Sequence, residues 1–155
     1  MKRTPTAPAS TGVDVLDGML GGGLPRNRAT LITGGPGTGK STLGMQFLQA
    51  GLAEGEKCLY ISTVQTVAEL RDAFGGFDFD LDHENLSYAT IHARRGETIE
   101  DNDTYTLQTD EDNKWLDRGF DAPFTGAYIE DHLRKYAPCD RVVFDSTSGL
   151  AVITE

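Results

Sequence analysis

One feature constrains this chain more than any other: the segment Gly34-Gly-Pro-Gly-Thr-Gly-Lys-Ser41. It fits the pattern G-x-x-x-x-G-K-[ST] without a mismatch. Glycines let the backbone turn its N–H groups inward, where they form a nest for phosphate oxygens. A helix that follows the loop points the positive end of its dipole at the same anion. The segment therefore predicts a phosphate-binding loop (Walker A) for a nucleoside triphosphate such as ATP.

The polar residues of the loop have predicted roles in that chemistry. Lys40 supplies a positive charge to the β- and γ-phosphates, and the Ser41 hydroxyl is suited to bind Mg²⁺. Thr42 is placed to reach the α-phosphate. The predicted nucleotide-binding residues are Gly34, Gly35, Pro36, Gly37, Thr38, Gly39, Lys40, Ser41 and Thr42.

A bound Mg²⁺ also needs a carboxylate near the phosphates, usually at the end of an apolar strand. The run Val142-Val-Phe-Asp145 has this pattern. Asp145 would lie at the carboxyl end of its strand, where ligands bind in open α/β sheets. Ser41 and Asp145 are therefore the predicted metal-binding residues, with Mg²⁺ and ATP as the cofactors.

Strand and helix patterns alternate along the chain, which predicts an α/β fold with a mostly parallel sheet. The predicted strands are Ala29–Thr33, Lys57–Ser62, Leu86–His92 and Arg141–Asp145. Four helices are predicted. A short one carries Val15, Leu16, Met19 and Leu20, and a long one covers Lys40–Ala53. A third follows the capping box Thr66-Val-Ala-Glu69 and stops at Gly75-Gly76, and an amphipathic fourth covers Thr125–Tyr136.

The 155 residues suffice for one domain. We expect a flexible tail over residues 1–10 and a nucleotide-binding domain over 11–155. Residues 96–121 contain nine acids and two bases with little periodicity, which predicts a solvated, partly mobile insertion. A docking surface for a basic partner is the alternative interpretation.

The composition excludes some function classes. The chain has 14 basic and 24 acidic residues and a formal charge of -10, which argues against nucleic acid as a major partner. Cys58 and Cys139 lack metal-ligand spacing and are predicted to be buried free thiols. The sequence contains no apolar run long enough to span a membrane and no signal-peptide core, so we expect a cytoplasmic protein.

Three segments together resemble the KaiC/RadA branch of the RecA-type ATPases. They are the stretch from Thr11-Gly-Val to Gly21-Gly-Gly-Leu-Pro25, the loop at 34–42 and the run Val-Val-Phe-Asp-Ser that contains Asp145. The resemblance implies a RecA-like P-loop core that binds Mg-ATP. It also implies assembly of identical subunits into rings or filaments.

The chain departs from that family at the position of the catalytic acid. KaiC-like proteins carry a Glu-Glu pair after the second strand, where this chain has Val64 and Gln65. Valine cannot activate water, and Gln65, a weak catalytic candidate, can orient water but is no base. General-base assistance contributes about 10²- to 10⁴-fold, so we expect slow hydrolysis. Glu69 is the nearest acid downstream, and its predicted role is in the capping box.

The chain also ends ten residues after Asp145. RecA-like relatives insert a later strand between the loop strand and the strand of Asp145. Without it, the sheet would have a gap at its centre, or those two strands would pair directly, with unpaired edges exposed. We therefore expect a RecA-like core that is incomplete at its C-terminus, as in a fragment or truncated reading frame. A complement from another chain is the alternative.

Three functional hypotheses follow. The first is an ATP-binding domain with weak or partner-assisted hydrolysis. The second is a non-catalytic module that changes partners with ATP occupancy, which the replacement of the catalytic acid by Val64 favours. The third is a truncated remnant without function.

Overall fold

The computed structural model describes residues 7–90, 92–95, 105–108, 115–116, 130 and 133–147. These contain the helices α1 (Asp14–Met19), α2 (Lys40–Ala53) and α3 (Val67–Phe74). They also contain the strands β1 (Cys58–Ser62), β2 (Leu86–Thr90), β3 (His92–Arg95), β4 (Tyr105–Gln108), β5 (Trp115–Leu116) and β6 (Arg141–Asp145). The predicted helix over Thr125–Tyr136 lies largely outside the described residues.

The central sheet has the strand order β2-β1-β6, and both pairings are parallel. All five residues of β1 are buried, as expected for a strand that is covered on both faces of a parallel sheet. The predicted α/β fold with a mostly parallel sheet is therefore confirmed, as are the bounds predicted for α2 and β6.

Two apolar clusters cover the two faces of this sheet. The larger one joins Tyr60 of β1 to Met45 and Leu48 of α2 and to Leu70 and Phe74 of α3. The smaller one, on the opposite face, consists of Leu59, Ile61 and Ala89, with Leu133, Tyr136 and Cys139 packed against it. Because side chains alternate along a strand, Tyr60, Val143 and Asp145 lie on the α2 side of the sheet.

Two glycines let α2 pack closely against β6. A Cβ atom on Gly44 would lie 2.9 Å from Val143 Cγ1, and one on Gly51 would lie 2.6 Å from Arg141 Cδ. The two contacts run in opposite directions along the two elements, so α2 is antiparallel to β6. The N-terminus of α2, which follows the phosphate loop, therefore lies beside the C-terminal end of β6.

Arg141 joins the other end of this arrangement to the N-terminal segment. Its side chain is only 1% exposed, forms ion pairs with Glu54 and Glu56, and donates hydrogen bonds to the carbonyls of Ser10 (2.6 Å) and Phe47 (3.0 Å). This network connects β6, the last turns of α2 and the residues that precede α1.

The segment before and within α1 is organised by Asp17. Its carboxylate accepts hydrogen bonds from the hydroxyls of Ser10 and Thr11, each at 2.6 Å, and from the Thr11 N–H. These bonds lower the pKa of Asp17 below its ordinary value. Ala9 is buried and pairs with Leu24, so the last residues of the predicted tail pack against the glycine-rich segment.

The prediction of a strand over Ala29–Thr33 is wrong. The segment has no strand structure and pairs with none of the described strands, and Leu31 is 80% exposed. An apolar β-prone run becomes a strand only when a neighbour takes up its N–H and C=O groups. Within the described residues β6 is the edge of the sheet and has no second neighbour, so the direct pairing of this segment with β6, one of the two expected alternatives, is not found there.

A second sheet has the order β3-β4-β5, and both of its pairings are antiparallel. Its strands β4 and β5 fall inside residues 96–121. The expected solvated, partly mobile insertion over residues 96–121 stays a prediction, and the rest of the segment lies outside the described residues. The predicted strand Leu86–His92 ends at Thr90, and His92 begins β3.

Candidate nucleotide-binding site

The phosphate loop is open to solvent and leads directly into a long helix. Gly37 and Gly39 adopt positive φ angles of 72° and 88°, a region that side chains rarely enter. The helix α2 begins at Lys40, and its N-cap residue Gly39 has no side chain to cap the first turn. The N–H groups of that turn are thus left for an anion, as the sequence predicted for this motif.

The side chain of Lys40 folds back over the loop. Its ammonium group donates hydrogen bonds to the carbonyls of Gly34 (2.7 Å) and Gly35 (2.6 Å). The Thr38 hydroxyl donates to the Gly35 carbonyl as well, at 2.8 Å. The positive charge of Lys40 therefore lies directly above the backbone that is predicted to hold the phosphates.

The two predicted metal-binding residues lie near a third side chain, Tyr60. The Tyr60 hydroxyl donates a hydrogen bond of 2.5 Å to Oδ2 of Asp145. The Ser41 side chain lies near the same hydroxyl and slightly lowers its pKa. The first turn of α2 and the end of β6 thus bring a hydroxyl and a carboxylate close together. These hard oxygen donors suit Mg²⁺, so the residues present fit the predicted metal.

Tyr60 is a neutral hydrogen-bond donor in this setting. Burial raises its pKa most, and the hydrogen bond to Asp145 and the charge of that carboxylate raise it further, while the contact with Ser41 has a smaller opposite effect. Because the pKa lies above its ordinary value, the phenol keeps its proton at neutral pH.

The residues at the catalytic-acid position follow β1 at the same edge of the sheet. The Ser62 hydroxyl accepts hydrogen bonds from the N–H groups of Val64 (3.4 Å) and Gln65 (2.9 Å). Thr63 is bonded to the end of β6, because its N–H donates to the Asp145 carbonyl at 3.0 Å. The side chain of Val64 is 60% exposed and offers no polar group.

The predicted capping box is confirmed. The Thr66 side chain accepts a hydrogen bond from the Glu69 N–H, and the Glu69 carboxylate accepts one from the Thr66 N–H at 2.8 Å. Glu69 therefore serves the N-terminus of α3.

Sequence reasoning did not identify Tyr60 or Gly44 as parts of the site. Tyr60 lies in an apolar strand, where an aromatic residue is expected to fill the core, and only its hydroxyl carries the relevant contact. Gly44 lies in the middle of a helix pattern, where a glycine is unfavourable and therefore a weak signal of close packing. Gly44 lies three residues after Ser41, so it falls on nearly the same face of the helix, and this spacing is the sequence feature that links it to the site.

Other chemistry finds less support in the described residues. They contain no group of three or more potential metal-binding side chains and no helix long and apolar enough to cross a membrane. Cys58 is a buried free thiol, as predicted, and burial raises its pKa to about 11, whereas the free thiol Cys139 is only partly buried.

The parallel sheet, the phosphate loop that opens α2 and the acid at the end of β6 define a RecA-like P-loop ATPase core. A family model described as the ATPase KaiC matches residues 9–155. Because the match covers nearly the whole chain, the chain belongs to the KaiC ATPase family.

Curated relatives resemble part of the chain. A UPF0273 protein of Methanopyrus kandleri is 41% identical over 71 residues, which are 46% of this chain and 28% of that protein. A UPF0273 protein of Saccharolobus solfataricus is 44% identical over 66 residues, 43% of this chain and 24% of that protein. The DNA repair protein RadA of Mycobacterium tuberculosis is 39% identical over 66 residues, 43% of this chain and 14% of RadA. The matches thus span less than a third of each relative.

Proposed function

We propose that this chain binds Mg-ATP through residues 34–42, with Ser41 and Asp145 as the protein ligands of Mg²⁺. One observation carries the proposal: the close approach of Gly44 in α2 to Val143 in β6 brings the first turn of α2, which contains Ser41, beside Asp145 at the end of β6. Membership of an ATPase family supports the same ligand. The bound Mg²⁺ would neutralise phosphate charge, and Lys40 would add its own positive charge to the same phosphates.

Calorimetric titration with Mg-ATP tests the proposal on the native chain and on Lys40→Ala. A hydrogen bond to a charged group contributes about 1.5–3 kcal/mol, so the variant should bind at least about tenfold more weakly. Lys57→Ala is the matched control, because this exposed lysine precedes β1 at the opposite end of the strand from the site. Absence of binding by the native chain at millimolar Mg-ATP, or equal losses in the two variants, would contradict the proposal.

We further propose that hydrolysis is slow or depends on a partner. The support is the exposed, apolar Val64 at the position of the catalytic acid, followed by Gln65, which can orient water but is no base. Restoring the acid with Val64→Glu should raise the rate of phosphate release by about 10²-fold or more. Val64→Gln is the control that has the same shape without a base. A native rate equal to that of Val64→Glu would contradict a disabling role for Val64.

The second candidate function is a non-catalytic module whose interactions depend on ATP occupancy. Val64 favours it, since an exposed apolar side chain at this position suits contact with a partner better than activation of water. A native chain that binds Mg-ATP but releases no phosphate, even after Val64→Glu, would support this function.

The remaining expectations stay proposals. The first is the division into a tail over 1–10 and a domain over 11–155 that contains an insertion over 96–121. The others are assembly into rings or filaments, a cytoplasmic location, and a nucleotide rather than nucleic acid as the main ligand. The formal charge of -10 supports the last of these. Sedimentation with and without nucleotide would test assembly.

A further inference from the structure

Tyr60 makes contacts that its place in the core does not require. Its side chain is fully buried on the α2 side of β1, among Met45, Leu48 and Phe74. Its ring packs edge-to-face against Phe74, with 5.9 Å between ring centroids. A phenylalanine would fill this position equally well, so the hydroxyl is the part of the side chain that needs an explanation.

A buried phenol normally finds some hydrogen-bond partner, and a backbone carbonyl is sufficient. The neighbouring strand provides an example in Tyr88, whose hydroxyl donates to the Leu81 carbonyl at 2.9 Å. The Tyr60 hydroxyl instead donates to the Asp145 carboxylate at the end of β6, at 2.5 Å. Simple satisfaction of a buried donor does not call for a carboxylate.

The geometry of the Asp145 carboxylate assigns a use to this bond. Tyr60 donates to Oδ2, which leaves Oδ1 without this donor and available to a cation or its bound water. Carboxylates that bind metals are commonly held by such hydrogen bonds, and removing the supporting partner typically lowers metal affinity by about 10- to 100-fold.

We propose that Tyr60 is a positioning residue for the Mg²⁺ of the nucleotide complex, holding the Asp145 carboxylate in the orientation in which it can reach the ion. The inference rests on the proposed function, because it assumes that Mg-ATP binds at this loop. Tyr60 acts through Asp145 and touches neither the nucleotide nor the metal.

The test is the metal dependence of nucleotide binding, which needs no turnover. The dissociation constant of a non-hydrolysable ATP analogue is measured by calorimetry for each chain with Mg²⁺ and with EDTA. In Tyr60→Phe the constant in EDTA should match that of the native chain, whereas the tightening caused by Mg²⁺ should fall by about tenfold or more. Tyr88→Phe is the matched control, since it removes a tyrosine hydroxyl from the adjacent strand, and it should keep the native metal dependence.

A double-mutant cycle sharpens the assignment. If Tyr60 acts through the carboxylate, Tyr60→Phe should have no further effect on the metal dependence once Asp145→Asn is present. Additive losses from the two substitutions would overturn the positioning role.

The outcomes separate this inference from the proposed function. A native chain that binds the analogue under neither condition overturns both. A native chain whose binding depends on Mg²⁺, together with a Tyr60→Phe chain of equal metal dependence, overturns only the role of Tyr60. Tighter Mg²⁺-dependent binding by Tyr60→Phe would show that the phenol competes with the ion, and it also overturns the proposal. So would unfolding of Tyr60→Phe beside a folded Tyr88→Phe, because the hydroxyl would then serve stability.

Discussion

Two regions of this molecule are stabilised by different kinds of interaction. The sheet platform consists of β1, β2 and β6 with the helices α2 and α3, and the loop limb consists of residues 29–39. All five residues of β1 are buried, whereas every residue of the loop limb is exposed. The platform is therefore stabilised by packing, while the loop limb takes its shape from glycine dihedral angles and from a few hydrogen bonds made by Lys40 and Thr38.

The difference shows that the residues that stabilise the fold and most of the residues proposed to bind the nucleotide lie in different parts of the chain. Groups that bind ligands must stay accessible, so they come from the part of a protein with low local stability. Asp145 and Ser41 are exceptions in part, because they are attached to the ends of platform elements. The proposed metal-binding residues thus have a rigid support, and the phosphate-binding backbone does not.

The largest expected effect comes from a charge buried in the platform. Arg141→Ala would remove the buried member of the ion pairs with Glu54 and Glu56, although Glu56 keeps its pair with Arg26, and would also free the carbonyls of Ser10 and Phe47. Removing one member of a buried ion pair costs about 3–5 kcal/mol, which we expect as the loss in the free energy of unfolding. Urea denaturation measures it.

The control for Arg141 is Arg134→Ala, which removes an exposed pair with Glu130. That substitution should cost no more than about 0.5 kcal/mol. Equal losses in the two variants would mean that the buried network does not hold the platform together.

The next prediction compares leucines from the two regions. Leu48→Ala removes a fully buried side chain from the platform and should lower the free energy of unfolding by about 2–5 kcal/mol. Leu31→Ala in the loop limb, where the side chain is 80% exposed, should change it by less than about 0.5 kcal/mol. Comparable losses in the free energy of unfolding, measured by denaturant unfolding, would show that Leu31 packs against another part of the protein. The loop limb would then be stabilised by packing, as the sheet platform is.

The smallest expected effect lies where the two regions join. Gly44→Ala would place a Cβ atom 2.9 Å from Val143 Cγ1 and push the N-terminal turn of α2 away from β6. We expect a loss of about 1–3 kcal/mol in the free energy of unfolding, with a weaker Mg²⁺ dependence of nucleotide binding.

Two further variants check the cause. The double variant Gly44→Ala with Val143→Ala relieves the close contact and should recover part of both losses. Gly18→Ala is the control in α1, because a Cβ atom there meets nothing within 4 Å. If Gly44→Ala were as harmless as Gly18→Ala, close helix–strand packing would not be what places Ser41 beside β6.

Much of the fold was predictable because its signals are local. The glycine pattern, the strand before Asp145 and the capping box of Thr66 and Glu69 each depend on a few adjacent residues, and each appears where the sequence placed it. The helix α1 was also predicted, although its residues Val15 and Met19 lie exposed rather than packed within the described structure. Periodicity identifies a face of a helix, but it does not say whether a neighbour covers that face.

The sequence by itself determined the phosphate loop, the long helix behind it and the acid at the end of β6, because backbone freedom, helical period and strand ends are properties of adjacent residues. Only the tertiary structure decided that Ala29–Thr33 is not a strand, since a strand depends on the partner that its backbone finds. It also decided that the Tyr60 hydroxyl meets Asp145. That contact joins two segments 85 residues apart in the chain, and no local pattern encodes the direction of one buried hydroxyl.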